Sequence, residues 1–271
     1  MGRSLWFRWA GAAMFLASFL VLSLVGGSGC ASKTPTAASF VATSTPTLPS
    51  NFIDNLEDGD AYLNPTFCGV KRTGVPEGFW VASSWGDPSN VINGGPGKPF
   101  VFSGAVGANG TDSAIHIYGQ VTDHADGQYP AFQLQGKLQG GEYYDTVPYG
   151  LVGVRFYYKT GVDTCPTRRF NLPIAATTES SGGGTCMNKC YDHFGAPLTP
   201  TSGAWSMKAY YFNAALGTPF LSRKGFGSAI SPATLSGAHL SQVLEVQWLF
   251  GRDGAAGESS VDYWIDEVEF F

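Results

Sequence analysis

The strongest constraint on this chain is a two-residue alternation of apolar side chains that restarts, segment after segment, along its second half. Ile115 and Ile117 alternate with His116, Tyr118 and Gln120; Phe132 and Leu134 with Gln133 and Gln135; Val152, Val154, Phe156 and Tyr158 with Arg155, Tyr157 and Lys159. Successive side chains of a strand point to opposite faces of its sheet, so each segment predicts a strand with one face buried and the other left for water or ligand. Phe170, Leu172 and Ile174 continue the pattern against Arg169 and Asn171, and Pro173, which has no ladder donor, marks an edge or a strand end. Trp205, Met207, Ala209 and Tyr211 alternate with Lys208 and Tyr210; Leu244, Val246, Trp248 and Phe250 alternate with Glu245 and Gln247. Val261–Phe271 closes the chain as a last apolar strand. Gly, Pro, Asn and Asp break the segments, and no stretch carries helical periodicity. The predicted fold class is therefore all-β, a two-sheet antiparallel jelly-roll β-sandwich formed by residues 51–271 as one domain.

The first fifty residues read differently. Arg3 and Arg8 precede an apolar run from Ala10 to Val25, and the small residues Gly26, Gly27, Ser28 and Gly29 stand just before Cys30. A positive segment, an apolar segment and a small-residue processing site in that order predict an export signal over residues 1–29. Small residues ending in a cysteine resemble the lipobox of bacterial lipoproteins, with Gly27 where Leu is usual. The resemblance implies cleavage before Cys30 and acylation of that cysteine. Because Ala31 follows it rather than Asp, it also implies attachment to the outer membrane, at the periplasmic face or the cell surface. An uncleaved membrane anchor is the competing reading, though it needs the glycines to reach sufficient length. Residues 30–50 are rich in Ser, Thr, Ala and Pro, including Pro35, Pro46 and Pro49. Such a stretch buries too little to offset chain entropy and is expected to act as a tether.

Charged residues make up 14% of the chain, the formal net charge is −5, and Lys and Arg form no long run. Nothing in this pattern attracts a phosphate backbone, so nucleic acid is not an expected partner. Low charge with abundant Tyr, Trp, Asn, Gln and Gly suits neutral polar ligands. With Cys30 assigned to lipid, four cysteines remain: Cys68, Cys165, Cys186 and Cys190. In an exported protein an even number reads as disulfides. Cys186 and Cys190 enclose only Met187, Asn188 and Lys189 and meet across one tight loop, which leaves Cys68 to pair with Cys165. A zinc site that includes His193 is the alternative for the short pair.

Three segments together carry a family resemblance. Ile53–Asp60 reads Ile-Asp-Asn-Leu-Glu-Asp-Gly-Asp, Tyr144–Gly161 contains Tyr-Gly-Leu-Val-Gly-Val-Arg-Phe-Tyr-Tyr-Lys-Thr-Gly, and Val261–Phe270 reads Val-Asp-Tyr-Trp-Ile-Asp-Glu-Val-Glu-Phe. In this order they resemble the galactose-binding-like jelly rolls, in particular carbohydrate-binding modules of the β-1,3-1,4-glucan-binding type. Leu56 stands for the usual Phe, Tyr157 or Tyr158 for a Trp, and Glu267 for a second Asp. The resemblance implies a structural Ca2+ held by acidic residues from the first and last strands, which here are Glu57 and Asp266, with Asp58 or Asp60 as a further member. Hard calcium takes carboxylate and carbonyl oxygens, so acids at the two ends of a domain are suitable chemistry. The alternative is that these acids are turn and edge residues.

For sugar binding, an aromatic ring stacks on the apolar face of a pyranose while planar polar groups meet its hydroxyls. His116, Tyr118, Gln133, Gln135, Arg155 and Tyr157 supply that mixture if their strands share one concave sheet. Trp85, beside Gly86 and Asp87, is the expected exposed platform, with Trp80 in the core. Trp205, Trp248 and Trp264 sit in apolar alternation and read as structural. The competing view of the polar face is ordinary cross-strand packing in water. No G-x-S-x-G elbow and no H-E-x-x-H helix is present. His193, next to Asp192, is the one group to watch for chemistry, or else a loop residue held by a disulfide. The expected function is a lipid-anchored, non-catalytic carbohydrate-binding domain of the bacterial envelope, with a polysaccharide or oligosaccharide as partner. A structural or adhesion lipoprotein with a protein partner, and a divergent polysaccharide hydrolase or lyase, are the alternatives.

Overall fold

The computed structural model describes residues 52–54, 56, 63, 66–67, 70–71, 79–85, 102–103, 107–121, 131–137, 143–162, 165–251 and 259–271. The export signal, Cys30, the tether, Glu57, Asp58, Asp60 and Cys68 lie outside the described residues. The strands are β1 (Phe52–Asp54), β2 (Thr66–Phe67), β3 (Val70–Lys71), β4 (Phe79–Trp85), β5 (Phe102–Ser103), β6 (Ala114–Val121) and β7 (Ala131–Lys137). They continue as β8 (Gly153–Thr160), β9 (Thr167–Leu172), β10 (Phe194–Pro197), β11 (Ser206–Tyr211), β12 (Glu245–Gly251) and β13 (Ser259–Phe270).

Two antiparallel sheets form the jelly-roll sandwich. One runs β11-β8-β13-β6-β5, with β1 also on β13, and the other runs β10-β9-β12-β7-β4; β2 and β3 pair separately. The long β13 is central in its sheet, so its backbone groups find partners along both edges. It pairs with β6 as far as Ile265↔Ile115 and with β8 down to Phe270↔Val154. The register slips between Asp266 and Glu269, where Glu267 takes a left-handed φ of 46°. Beyond that bulge β1 pairs with the strand, through Phe52↔Glu269.

The core is aromatic and joins the sheets face to face. Trp248 of β12 meets Phe156 of β8 edge-on at 4.9 Å between ring centroids, and Phe250 stacks on Tyr263 of β13 at 3.9 Å. Trp80 is buried as expected, 5.9 Å from Trp248, and its Nε1 donates to the buried Asp54 carboxylate at 2.6 Å. That bond ties β1 of one sheet to β4 of the other, and the same carboxylate accepts the Leu56 N–H at 2.7 Å. Deleting an aromatic side chain from such a core costs about 3 to 5 kcal/mol.

The alternation gives the inward face correctly for β6, β8, β9 and β12. In β11 it is inverted. Tyr210 is buried and stacks on Phe170 at 5.7 Å, while Met207 on the opposite face is 54% exposed. Tyr210 serves an inner face because its ring fills the core while its hydroxyl reaches the Pro197 carbonyl at 3.1 Å. Lys208 shares that inner side at the sheet edge, and burial lowers the pKa of its ammonium. Trp264 is likewise on the outer face of its sheet, in register with His116 and Lys159.

Candidate functional site

The six residues expected on one concave sheet are divided between two. His116 and Tyr118 on β6, and Arg155 and Tyr157 on β8, flank β13 on the outer face of one sheet. Gln133 and Gln135 belong to β7 in the other sheet, in register with Leu249 and Gln247 of β12. Trp85 ends β4 at the edge of that second sheet, in register with Ala131. Alternation within a segment says which residues share a side of a strand. It carries no information about which sheet that strand joins, and a jelly roll sends successive strands to opposite sheets.

On the first sheet the ring faces are already occupied by one another. His116 stacks on Trp264 at 4.0 Å and 5° between planes, Tyr118 leans on His116 at 5.0 Å, and the Lys159 ammonium sits 4.3 Å from the Trp264 ring. His116 Nε2 pairs with Asp262 Oδ1 at 2.9 Å, and Arg155 Nε with Glu269 Oε1 at 2.5 Å. These contacts link the row across the strands, and Tyr118 is 47% exposed at one end of it.

The second sheet carries a row of planar polar groups on the side away from the core, of which Asn171, Gln247 and Glu245 are buried and Arg169 is half-buried. Arg169 and Asn171 of β9, and Glu245 and Gln247 of β12, alternate with the core residues Phe170, Leu172, Val246 and Trp248. Arg169 Nε donates to Asn171 Oδ1 at 2.9 Å, Asn171 Nδ2 to Gln247 Oε1 at 2.7 Å, and Gln247 Nε2 to Glu245 Oε1 at 3.3 Å. Arg169 reaches across β10, donating to the Gly195 carbonyl at 2.9 Å and to the Ser222 carbonyl. A Cβ at Gly195 would clash with the Phe170 carbonyl and Asn171 Oδ1 and stand 2.8 Å from Arg169 Nε, so glycine lets β10 lie this close to β9. Burial lowers the Arg169 pKa, and the nearby Asp192 opposes that shift. Sequence reasoning saw these four residues only as strand alternates. Two i, i+2 polar pairs, Arg169 with Asn171 and Glu245 with Gln247, were the available signal.

The segment that follows β9 lies against this row. His193 is buried, its Nδ1 lies 2.8 Å from Thr177 Oγ1, and burial pushes its pKa down to about 3, helped by Arg169 and Arg223 and opposed by Asp192. It is therefore neutral at ordinary pH. Tyr191 meets it edge-on at 5.9 Å. The Tyr191 phenol is shifted up by desolvation first and then by a hydrogen bond to Glu179, with Glu245 also acting on it.

Cys186 and Cys190 form a disulfide, as the spacing predicts, which removes both thiols from any zinc set. Cys165 is buried with its Sγ 3.1 Å from the Gly251 carbonyl. The expected partner of Cys165, Cys68, is outside the described residues. The same holds for Glu57 and Asp58 of the calcium set. Their third member, Asp266, is buried, and its Oδ2 receives Ala108 N–H at 2.7 Å and Thr111 Oγ1 at 2.7 Å, while Oδ1 receives Glu267 N–H at 2.7 Å. Desolvation raises its pKa to about 6 against those hydrogen bonds. Both oxygens already take protein donors. Among the described residues no group of three or more His, Cys, Asp or Glu converges on one point, so these residues alone do not build a calcium site.

No family model matches the chain, and the comparison with curated proteins found no match. Among solved structures, a family 11 carbohydrate-binding module of the cellulosomal cellulase Lic26A-Cel5E of Clostridium thermocellum aligns at 12% identity and a TM-score of 0.43, covering 71% of this chain and 86% of that one. The agarase AgWH50C aligns at 13% identity and a TM-score of 0.36, covering 70% of this chain and 24% of the agarase. The K1 cleaved adhesin domain of Lys-gingipain from Porphyromonas gingivalis W83 gives 13% identity and a TM-score of 0.32, covering 72% and 92%. Likeness at this level carries no argument about ligand, and the fold rests on the two sheets described above.

Proposed function

We propose that the domain is a non-catalytic carbohydrate-binding module that holds a polysaccharide or oligosaccharide. What supports this reading is the two-sheet jelly roll together with the sequence segments Ile53–Asp60, Tyr144–Gly161 and Val261–Phe270, which resemble carbohydrate-binding modules. The test is a glycan array probed with the full chain. Binding to a glycan supports the reading, and silence across the array overturns it.

The anchor belongs to the same proposal and rests on the sequence. Cys30 carries lipid and residues 31–50 give the domain reach from the outer membrane. Cys30→Ala is expected to abolish incorporation of labelled fatty acid; unchanged labelling removes the anchor. Structural calcium at Glu57, Asp58 and Asp266 likewise rests on the sequence resemblance. A protein partner is the second reading, favoured by Tyr118 and Met207, 47% and 54% exposed on the outer side of the sheet β11-β8-β13-β6-β5.

A further inference from the structure

The outer face of the sheet β11-β8-β13-β6-β5 holds a cation that has no counter-charge. His116 on β6, Trp264 on β13 and Lys159 on β8 stand in register across three neighbouring strands. Ser206 pairs with Tyr158, so Trp205 continues the row beside Lys159 at the start of β11. The Lys159 ammonium lies 4.3 Å from the Trp264 ring centroid and 5.5 Å from that of Trp205, so two indoles hold it in place.

The acids on this face are taken by other groups. Asp262 Oδ1 pairs with His116 Nε2 at 2.9 Å and its Oδ2 accepts the Val162 N–H at 3.0 Å, while Glu269 pairs with Arg155. Among the described residues no carboxylate pairs with Lys159, and no acceptor takes its three N–H groups. Lys159, Trp264 and Trp205 are half-buried, and Tyr118 and Met207 on the same face are 47% and 54% exposed, so solvent reaches the row.

A surface lysine has to be ordered when an anion arrives, whereas an ammonium already seated between two indoles loses less freedom. Aromatic side chains stand on both sides of it. Tyr118 leans on His116 at 5.0 Å at one end of the row, and Trp205 closes the other. Three inter-strand spacings separate β6 from β11, about 14 Å, which is the reach of a short oligosaccharide rather than of one sugar ring.

We propose that this face binds an acidic saccharide, whose carboxylate or sulfate group pairs with the Lys159 ammonium while its pyranose rings meet Tyr118 and Trp205 through their C–H faces. This deepens the carbohydrate-binding reading, on which it rests, by naming the face and the class of sugar. A neutral glycan offers the ammonium hydroxyls but no counter-charge, and a charged acceptor makes the stronger hydrogen bond. Trp264, packed against His116 and Lys159, is a positioning residue that keeps the cation in the row.

The test titrates the full chain with a galacturonic acid tetrasaccharide, a sulfated galactan tetrasaccharide and, as the neutral arm, a β-1,3-1,4-linked glucan tetrasaccharide. The wild type is expected to prefer an acidic arm, and which one it takes separates carboxylate from sulfate. Lys159→Met, which keeps an apolar stem over the indoles, should weaken that binding about tenfold with an unchanged melting temperature, and Lys159→Arg should retain it. Raising salt from about 50 to about 500 mM should weaken wild-type binding several-fold, because the pair with Lys159 is partly screened. A wild type that prefers the neutral glucan, or acidic-sugar binding that neither salt nor Lys159→Met weakens, overturns the inference and leaves the carbohydrate-binding reading standing. A wild type that binds no glycan overturns both.

Discussion

His193 gives the sharpest test of the site's geometry. Its folded pKa is about 3 against an ordinary 6.5 because burial beside Thr177, Arg169 and Arg223 disfavours the charged ring. The unfolded chain therefore binds a proton that the folded chain refuses between those two values. The stability this group contributes is full above pH 6.5 and is lost as pH falls toward 3. From about pH 7.5 to about pH 5 the loss is about 2 kcal/mol, since roughly one and a half units of the shift are crossed at 1.36 kcal/mol each. Asp266 acts with the opposite sign. Its folded pKa of about 6 stands above the ordinary 3.8, so its protonated form favours folding and adds stability as pH falls through that window. The comparison that isolates His193 is urea unfolding of wild type and His193→Gln at both pH values, because the Asp266 contribution is common to both proteins. The wild type should lose about 2 kcal/mol more than the variant on acidification. Equal losses would mean that the ring is solvated and that His193 does not lie in the buried position against the polar row.

Asp192→Ala leaves Arg223 without its carboxylate and three N–H groups without an acceptor, and should cost about 3 to 5 kcal/mol in unfolding free energy. Faster hydrogen exchange at Lys224, Gly225 and Gly227 is the local readout, and unchanged exchange there would contradict their hydrogen bonds to the Asp192 carboxylate. For calcium, the expected outcome is a wild-type melting temperature that falls in chelator and recovers with added calcium, a response that Asp266→Ala loses. A wild type indifferent to chelator leaves Asp266 as the hydrogen-bond anchor of the 107–111 loop. Non-reducing peptide mapping should join Cys68 to Cys165, a link closing nearly a hundred residues and contributing about 4 to 5 kcal/mol at most. A peptide joining Cys68 to Cys186 or Cys190 would overturn that pairing.

The β class, the inward faces of β6, β8, β9 and β12, the burial of Trp80 and the short disulfide were all legible before any tertiary contact was known. Each follows from local rules, a period of two or a five-residue loop, which hold whatever the rest of the chain does. β11 shows where a local rule stops. Tyr210 and Met207 are both compatible with either side, and the choice was made by a stacking partner, Phe170, on a strand of the other sheet. The candidate site is of the second kind throughout. Gln133 and Gln135 parted from His116 and Arg155 because their strand joined the other sheet. Arg169, Asn171, Gln247 and Glu245 became one row only when β9 and β12, more than seventy residues apart in sequence, paired Asn171 with Gln247. Likewise Asp192 gained its three N–H donors from a turn about thirty residues later. Hydrogen-bonded neighbours across a sheet are set by register and sheet assignment, which depend on long-range burial of whole faces, and no spacing within a single segment encodes them.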